Sequence, residues 1–254
     1  MAYRIVQAGG RVGILDLNET AGRALARKLG NACTFSLADA TDEVSLASAL
    51  NFVEDAWGVA ANALVCCAGI AQVPCAIEDW PTAQFKRIID SHLTGTYASC
   101  RVIGSRIAAA KHGGAIVNIS SVVGIHPGPM LAYGPAKAAV ASLTQVLATH
   151  WAHAGVRVNA VAPGWTDTPF LQPKERQGQR DLAPILDATP MNRLMQPEEI
   201  AEVIYFLLSP SASAMTGAIV PCDGGVLAGA GWAPFGGVGL ARGLSISPPQ
   251  LSTQ

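Results

Sequence analysis

The amino-acid sequence predicts an α/β fold with a doubly wound parallel sheet. Short runs rich in Val, Ile, Leu and Ala alternate with longer segments in which apolar residues recur at helical spacing. Alternating strands and helices require crossover connections, which are right-handed and place helices on both faces of the sheet. The length of 254 residues and the apolar fraction of 50% allow a single domain with a large buried core.

The elements follow one another without an internal repeat. Buried strands are predicted at Arg11–Leu15, Cys33–Leu37, Ala63–Cys67, Ala115–Ile119, Val156–Val161 and Ala218–Val220. Helices are predicted at Glu19–Leu29, Asp42–Trp57, Thr82–Lys111, Tyr133–His153 and Pro197–Leu208. Met1–Gly10 has the pattern of the end of a helix, followed by a turn at Gly9 and Gly10. The stretch Pro163–Gln196 is predicted to be a long irregular loop of the kind that covers active sites.

The boundaries of the domain follow from composition near the C-terminus. The tail from Gly224 is nearly uncharged and rich in Gly, Ala, Pro and Ser, and residues 242–254 are its last part. Such segments bury too little apolar surface to order themselves, so we expect this part to be a poorly ordered tail. Residues 1–241 are then expected to form the single domain.

Composition and charge exclude several classes of protein. The formal net charge of -1 gives no basic surface, so no nucleic-acid partner is expected. The uncharged stretch Val203–Cys222 is interrupted by Pro210 and Pro221, which argues against a membrane span. The six cysteines have the spacing of neither a disulfide framework nor a zinc site. Because Met1–Gly10 also lacks the apolar core of a signal peptide, we expect a cytoplasmic protein without a bound metal.

The strongest chemical signal is the motif Tyr133-Gly-Pro-Ala-Lys137. Residues four apart share one face of a helix, so the phenol and the ammonium are predicted to lie side by side. A neighbouring positive charge favours phenolate, and we therefore expect Lys137 to lower the pKa of Tyr133 and make it a general acid/base. Short patterns of this kind also arise by chance, so the motif alone assigns no function.

Two further segments end at the same edge of the predicted sheet. The predicted strand Ala115–Ile119 is followed directly by Ser120 and Ser121. Their hydroxyls either donate to a substrate oxygen or only cap the turn. A later strand leads into Pro163 and Gly164, which bend the chain sharply. Ligands of parallel α/β sheets bind at the carboxyl ends of the strands. The meeting of three motifs at this edge predicts an active site there.

With these motifs, the sequence resembles the short-chain dehydrogenase/reductase family from about Gln7 to Gly229. Beyond the tyrosine–lysine pair, the resemblance rests on Asp39–Asp42, Ala68-Gly69, Asn118–Ser121, Asn159, Pro163-Gly164, Thr216-Gly217 and Asp223–Gly225. It implies a Rossmann-like fold and an oxidoreductase that interconverts a secondary alcohol and a ketone with a nicotinamide cofactor. It does not imply a particular substrate.

The resemblance also implies roles for individual residues. Tyr133 would exchange a proton with the substrate oxygen, and Lys137 would tune that tyrosine and hold the nicotinamide ribose. Ser121, in preference to Ser120, would bind the substrate oxygen. His92 stands where the family has an asparagine that holds a water in a proton relay. His92 could relay protons itself, since the pKa of histidine lies near neutrality, but it could equally break the relay or be an ordinary core residue.

The cofactor residues are assigned in the same way. Asp16 ends the first predicted strand, where a carboxylate can accept hydrogen bonds from the adenosine ribose and repels a 2′-phosphate. The next residue, Leu17, is not basic, so NAD is favoured over NADP; alternatively, Asp16 is only a turn residue before a helix. The other residues that the resemblance places around the cofactor are Asp39, Ala40, Ala68, Gly69, Tyr133, Lys137, Pro163, Gly164, Thr166 and Thr168.

One departure from the family pattern is large. The family opens with a strand and a Gly-rich turn that holds the pyrophosphate, and this sequence has no such opening. The absent strand would be central, so both of its neighbours would lose backbone hydrogen bonds, and we expect weak dinucleotide binding and reduced stability. The preferred explanation is a start codon placed too late, or a fragment. The alternative is a catalytically inactive subunit that retains only its assembly surfaces.

The resemblance carries one expectation about assembly. In the family, the helices that correspond to Thr82–Lys111 and Tyr133–His153 commonly pair between subunits. We therefore expect a homo-oligomer, either a dimer or a tetramer, that acts on a small-molecule alcohol or ketone.

Overall fold

A computed structural model of the chain describes residues 1–171 and 181–239. The strands in this part of the chain are Val12–Asp16 (β1), Cys33–Leu37 (β2), Ala63–Cys66 (β3), Gly114–Ile119 (β4), Val156–Pro163 (β5) and Ile219–Cys222 (β6). All of the paired strands are parallel. Each predicted strand overlaps an observed one, and the predicted doubly wound α/β fold is confirmed.

The helices alternate with these strands. They are Ala2–Gln7 (α1), Glu19–Leu29 (α2), Glu43–Trp57 (α3), residues 82–109 (α4), Tyr133–Trp151 (α5), Ala183–Ala188 (α6), Pro197–Leu208 (α7) and Val226–Gly229 (α8). Local capping explains where several begin; for example, the Asp42 side chain accepts from the Val44 and Ser45 N–H groups at the start of α3. None of the described helices combines the length and apolar character needed to cross a lipid bilayer.

Helix α6 corrects the expectation that Pro163–Gln196 is entirely irregular. This helix has 6 residues and buries the side chain of Ile185. A helix of fewer than two turns shows too little periodicity to be recognised in a sequence. Residues 172–180 of the predicted loop and the predicted tail at 242–254 lie outside the described residues.

Helix α4 runs without a break, but two of its segments, Asp90–Thr94 and Cys100–Gly104, are wider π-helical turns. Such turns insert an extra residue and often occur at functional sites. The first of them carries His92, which is 2% exposed. The π turn thus lies at the position where the family resemblance places a proton relay.

The strands form two sheets, one of order β1–β2 and one of order β3–β4–β5–β6. No strand among the described residues joins β1 to β3. Both sheets contribute to the same core, because Leu15 of β1 and Leu64 of β3 pack against one cluster that includes Leu50 and Ile116. The break in the sheet thus lies between β1 and β3, where the resemblance would place the central strand that this sequence lacks.

Helix α1 is held against α7 at the surface of the domain. Arg4 forms an ion pair of 2.6 Å with Glu202 and lies 3.7 Å above the ring of Tyr205. After α1, Gly9 adopts a left-handed conformation with φ of 81°, which turns the chain towards β1. The helix end and turn predicted for Met1–Gly10 are both observed.

Candidate active site

Three side chains with complementary chemistry meet at the carboxyl end of β4. Ser121 follows this strand, and Tyr133 and Lys137 lie in the first turns of α5. The Nζ atom of Lys137 is 5.6 Å from the centre of the Tyr133 ring. The Ser121 hydroxyl lies near the phenol and lowers its pKa. The structure therefore brings the predicted phenol, ammonium and serine together.

The two serines after β4 have different surroundings. The Ser120 hydroxyl donates its proton to the Lys137 carbonyl in the backbone of α5, at 2.9 Å. Among the described residues, the Ser121 hydroxyl accepts a long bond of 3.4 Å from the Val123 N–H, and it is the hydroxyl that influences the phenol, whose pKa it lowers. This difference favours Ser121 over Ser120 as the substrate-binding hydroxyl.

The titration behaviour of the pair corrects one expectation from the sequence. Burial raises the pKa of Tyr133 above its usual value of 10.0, and the hydrogen bond with Ser121 opposes that rise only in part. Lys137 is 5% exposed, and burial lowers its pKa from 10.5 to about 8. Its ammonium donates to the Ile119 carbonyl at 2.7 Å. The expectation that the pKa of Tyr133 lies below its usual value is therefore wrong, because burial dominates and favours the neutral phenol.

His92 lies against the same tyrosine. Its ring meets the Tyr133 ring edge-on, with the centroids 5.0 Å apart, and its Nε2 atom lies 2.8 Å from the Ile70 carbonyl oxygen. Its Nδ1 atom is buried and has no hydrogen-bond partner among the described residues. Burial, followed by the charge of Lys137, lowers the pKa of His92 to about 4. The premise of a pKa near neutrality is wrong, so any proton relay through His92 must use the neutral ring.

We expect the buried His92 to make the protein sensitive to acid. An unfolded histidine has a pKa of about 6.5, whereas folded His92 has a pKa of about 4. The unfolded chain therefore binds more protons between these values, and the stability present above about pH 6.5 is lost as the pH falls towards 4, by about 3 kcal/mol in full. Urea unfolding of the natural chain and of His92→Asn, each at neutral and acidic pH, measures the difference. Equal losses in both proteins would show that His92 protonates freely in the fold.

The predicted adenosine-binding residues follow β1 and β2. Asp16 is exposed at the end of β1, and its Oδ1 atom accepts from the Asn18 N–H at 2.8 Å. Asp39 follows β2, and its Oδ1 atom accepts from both the N–H and the hydroxyl of Thr41. The Oδ2 atom of Asp16 accepts no hydrogen bond within the described part of the chain. This carboxylate oxygen could therefore accept one from a ribose hydroxyl. Ala40 follows Asp39 and is partly buried.

The predicted residues of the central and nicotinamide regions follow β3 and β5. Ala68 and Gly69 are exposed after β3, and Pro163 ends β5. Gly164 packs so closely on Asp223 that an added Cβ would lie 2.8 Å from its Cα. The remaining two side chains bond locally: the hydroxyl of Thr166 to the carbonyl of Gly164 at 3.2 Å, and that of Thr168 to the carbonyl of Thr166 at 3.4 Å.

These residues suit the two ends of a dinucleotide. A carboxylate at one end could accept hydrogen bonds from a ribose, and hydroxyls with an ammonium at the other end could donate them. The described residues contain no glycine-rich turn between the two groups that could hold a pyrophosphate. They also contain no cluster of three or more side chains able to hold a metal ion.

One residue of the site carries no signal in the sequence. The Oε1 atom of Gln72 accepts from the N–H groups of Ala132 and Tyr133, at 3.1 Å and 2.8 Å. Gln72 lies in an irregular loop about sixty residues before its partners, without a motif or a periodic pattern. Only the folded chain reveals this contact.

A parallel α/β sheet with a tyrosine, a lysine and a serine at its carboxyl edge defines an oxidoreductase of the nicotinamide-dependent class. A family model described as Enoyl-(Acyl carrier protein) reductase matches residues 1–227. The chain belongs to the short-chain dehydrogenase/reductase family, as the motifs predicted.

Three known proteins show the extent of this similarity. Galactitol 2-dehydrogenase of Rhizobium johnstonii is 38% identical over 226 residues, which cover 87% of each chain. The protein named inactive 2-(S)-hydroxypropyl-CoM dehydrogenase 2 of Xanthobacter autotrophicus is 36% identical over 234 residues, which cover 90% of this chain and 100% of that protein. The crystal structure of a 3-ketoacyl-(acyl-carrier-protein) reductase from Brucella melitensis complexed with NADH is 30% identical. It superposes with a TM-score of 0.80 over 89% of this chain and 91% of that chain.

Proposed function

We propose that the chain interconverts a secondary alcohol and a ketone, with Tyr133 as the general acid/base. One observation supports this above all: a phenol kept neutral by burial lies beside a serine hydroxyl and a lysine ammonium. In the direction of reduction, the Tyr133 phenol donates its proton to the ketone oxygen while Ser121 donates a hydrogen bond to the same oxygen. Lys137 then stabilises the phenolate that remains. A bound nicotinamide supplies the hydride, or accepts it in the direction of oxidation.

The proposed cofactor is NAD(H) rather than NADP(H). The exposed carboxylate of Asp16 suits two ribose hydroxyls and repels a 2′-phosphate, and the following residue, Leu17, is 65% exposed and provides no positive charge. At the other end, Lys137 and the hydroxyls of Thr166 and Thr168 are the groups that would hold the nicotinamide half. His92, beneath Gly69, is proposed as part of the catalytic group through its contact with Tyr133.

The proposed substrate is a small molecule with a secondary hydroxyl or the matching ketone. The relative named galactitol 2-dehydrogenase provides one support for this class. The Phe170 ring provides another, since it lies 5.8 Å from the Tyr133 ring and is 45% exposed, and so forms an apolar wall beside the phenol.

A panel of polyols and cyclic secondary alcohols, each offered with NAD⁺ and with NADP⁺, tests this proposal. We expect reduction of NAD⁺ with at least one alcohol, followed by NADH fluorescence, and a preference over NADP⁺ that Asp16→Ser weakens. The repulsion between Asp16 and a 2′-phosphate is the physical reason for that preference. Turnover with neither cofactor across the panel would contradict the proposal.

Location and assembly are proposed on separate grounds. All six cysteines are free, which suits a reducing compartment, and we propose the cytoplasm.

Large apolar side chains are exposed on α4 and α5, including Tyr97 at 49% and Val146 at 61%. Exposed apolar surface of this kind favours association, and we propose a homo-oligomer, a dimer or a tetramer, of one domain per chain.

A second candidate function is a catalytically inactive subunit that keeps its assembly surfaces. The separation of the sheet β1–β2 from the sheet β3–β6 favours it, as does the similarity to a relative that is itself named inactive. Titration of the natural chain with NADH, together with its mass in solution, separates the two candidates. An oligomer that does not bind NADH supports the inactive subunit, and micromolar binding supports the enzyme.

A further inference from the structure

Helix α5, which carries Tyr133 and Lys137, begins without a local cap. The first N–H groups of any helix lack partners within the helix and need acceptors from elsewhere. Ala132, at the cap position, has no side chain that could accept them. The acceptor is the Oε1 atom of Gln72, which takes the N–H groups of Ala132 at 3.1 Å and of Tyr133 at 2.8 Å.

The loop that carries Gln72 reaches the tyrosine by a second route. The Ile70 carbonyl oxygen lies 2.8 Å from the Nε2 atom of His92, and the His92 ring meets the Tyr133 ring edge-on. Gln72 thus holds the tyrosine by its backbone, and Ile70 holds it through the imidazole that packs on its ring. Both contacts are well buried, since Gln72 is 8% and His92 2% exposed.

We infer that Gln72 is a positioning residue, which sets the place of the Tyr133 phenol relative to the Ser121 hydroxyl and the substrate oxygen. The inference rests on the proposed function. Its oxygen binds the backbone nitrogen of the residue whose phenol reacts, so a change at Gln72 moves the phenol itself. The Nε2 atom of Gln72 is buried and has no partner among the described residues, so the oxygen alone carries the contact to α5. The same loop begins at Ala68 and Gly69, the residues proposed to line the cofactor, and so connects them to the tyrosine.

Two substitutions separate the acceptor from the rest of the side chain. Gln72→Met keeps the length of the side chain and removes the oxygen, whereas Gln72→Glu keeps oxygen acceptors in the same place. Gln145→Met makes the same chemical change at an exposed position of α5 and serves as the matched control. Kinetic constants with NAD⁺ and an alcohol from the panel are one readout. The other is the spectroscopic titration of the Tyr133 phenol, obtained by subtracting the titration of Tyr133→Phe.

Gln72→Met is expected to lower kcat roughly tenfold to a hundredfold, because small displacements of a reacting group have effects of this size. KM is expected to change little, and Gln72→Glu and Gln145→Met are expected to retain most of the natural kcat. The Tyr133 titration in Gln72→Met is expected to move to higher pH, since a displaced phenol loses the hydrogen bond of Ser121, and Gln72→Glu is expected to restore it. If Gln72→Met does not fold, Gln72→Asn, which withdraws the oxygen by one methylene, replaces it.

The two readouts distinguish the failure of this inference from the failure of the proposed function. An unchanged kcat and an unchanged Tyr133 titration in Gln72→Met would overturn the positioning role. Equal losses in Gln72→Met and Gln72→Glu would also overturn it, because they would show that the side chain only packs. If the natural chain has no turnover, a titration that shifts in Gln72→Met and returns in Gln72→Glu still supports the positioning role, whereas the proposed enzyme fails.

Discussion

Replacement of Tyr133 by phenylalanine is expected to lower the NAD-linked kcat by roughly 10²–10⁴-fold, the usual contribution of a general acid/base. The substitution removes only the phenol oxygen, so the proton that the substrate oxygen must gain or lose has no carrier. The backbone bond to Gln72 and the ring contacts to His92 and Phe170 stay in place. Steady-state kinetics with NAD⁺ and an alcohol from the panel measure the effect, while thermal unfolding shows that the fold is kept.

The matched control for this substitution is Tyr97→Phe. Tyr97 is 49% exposed on α4, and the loss of its hydroxyl is expected to leave kcat unchanged. Turnover in Tyr133→Phe close to that of the natural chain would rule out this tyrosine as the proton carrier. The neutral His92 ring, which is in direct contact with Tyr133, would then be the candidate proton carrier.

Much of the fold could be predicted because buried parallel strands are marked by local composition. The run Val156–Val161, for example, is buried almost throughout and reads as a strand from its residues alone. Helix α7 was predicted with its observed bounds, since Pro197 marks its start and its apolar residues recur at helical spacing. Helix α6 was missed because 6 residues do not complete two helical turns.

The geometry of the candidate site was predictable only where it is local. The spacing of Tyr133 and Lys137 within one helix is enough to place both side chains on one face. Their burial, however, depends on what the rest of the chain packs around them, and this burial reverses the expected effect on the tyrosine. The bond from Gln72 to the start of α5 joins residues some sixty positions apart, and nothing in the local sequence indicates it.

Replacement of Lys137 by methionine is expected to lower kcat by roughly a hundredfold, as for the loss of an acid/base partner, and yet to stabilise the fold at neutral pH. An unfolded lysine has a pKa of about 10.4, whereas burial lowers the pKa of folded Lys137 to about 8. Its positive charge at pH 7 therefore opposes folding by about 3 kcal/mol. Methionine loses the hydrogen bond to the Ile119 carbonyl, which is worth about 1 kcal/mol. The net expected gain in the free energy of unfolding is about 2 kcal/mol.

The stability difference between Lys137→Met and the natural chain is expected to depend on pH. A lysine whose folded pKa is depressed contributes stability that is present above the unfolded pKa and lost as the pH falls through the folded pKa. The advantage of Lys137→Met over the natural chain should thus shrink as the pH rises above about 8 and reverse before the pH reaches about 10.4. Urea unfolding across this range measures it, and Lys86→Met, at an exposed position of α4, should show no such trend.

A variant that is destabilised equally at all of these pH values would contradict the expected result, because it would show that the ammonium carries no desolvation penalty. An increase in the free energy of unfolding at neutral pH, by contrast, would show that Lys137 destabilises the fold although it assists the reaction. A buried ammonium is unfavourable until a phenolate forms beside it, and that phenolate exists only after Tyr133 has given up its proton. The same desolvation that weakens the folded state therefore strengthens the attraction between the two groups during the reaction.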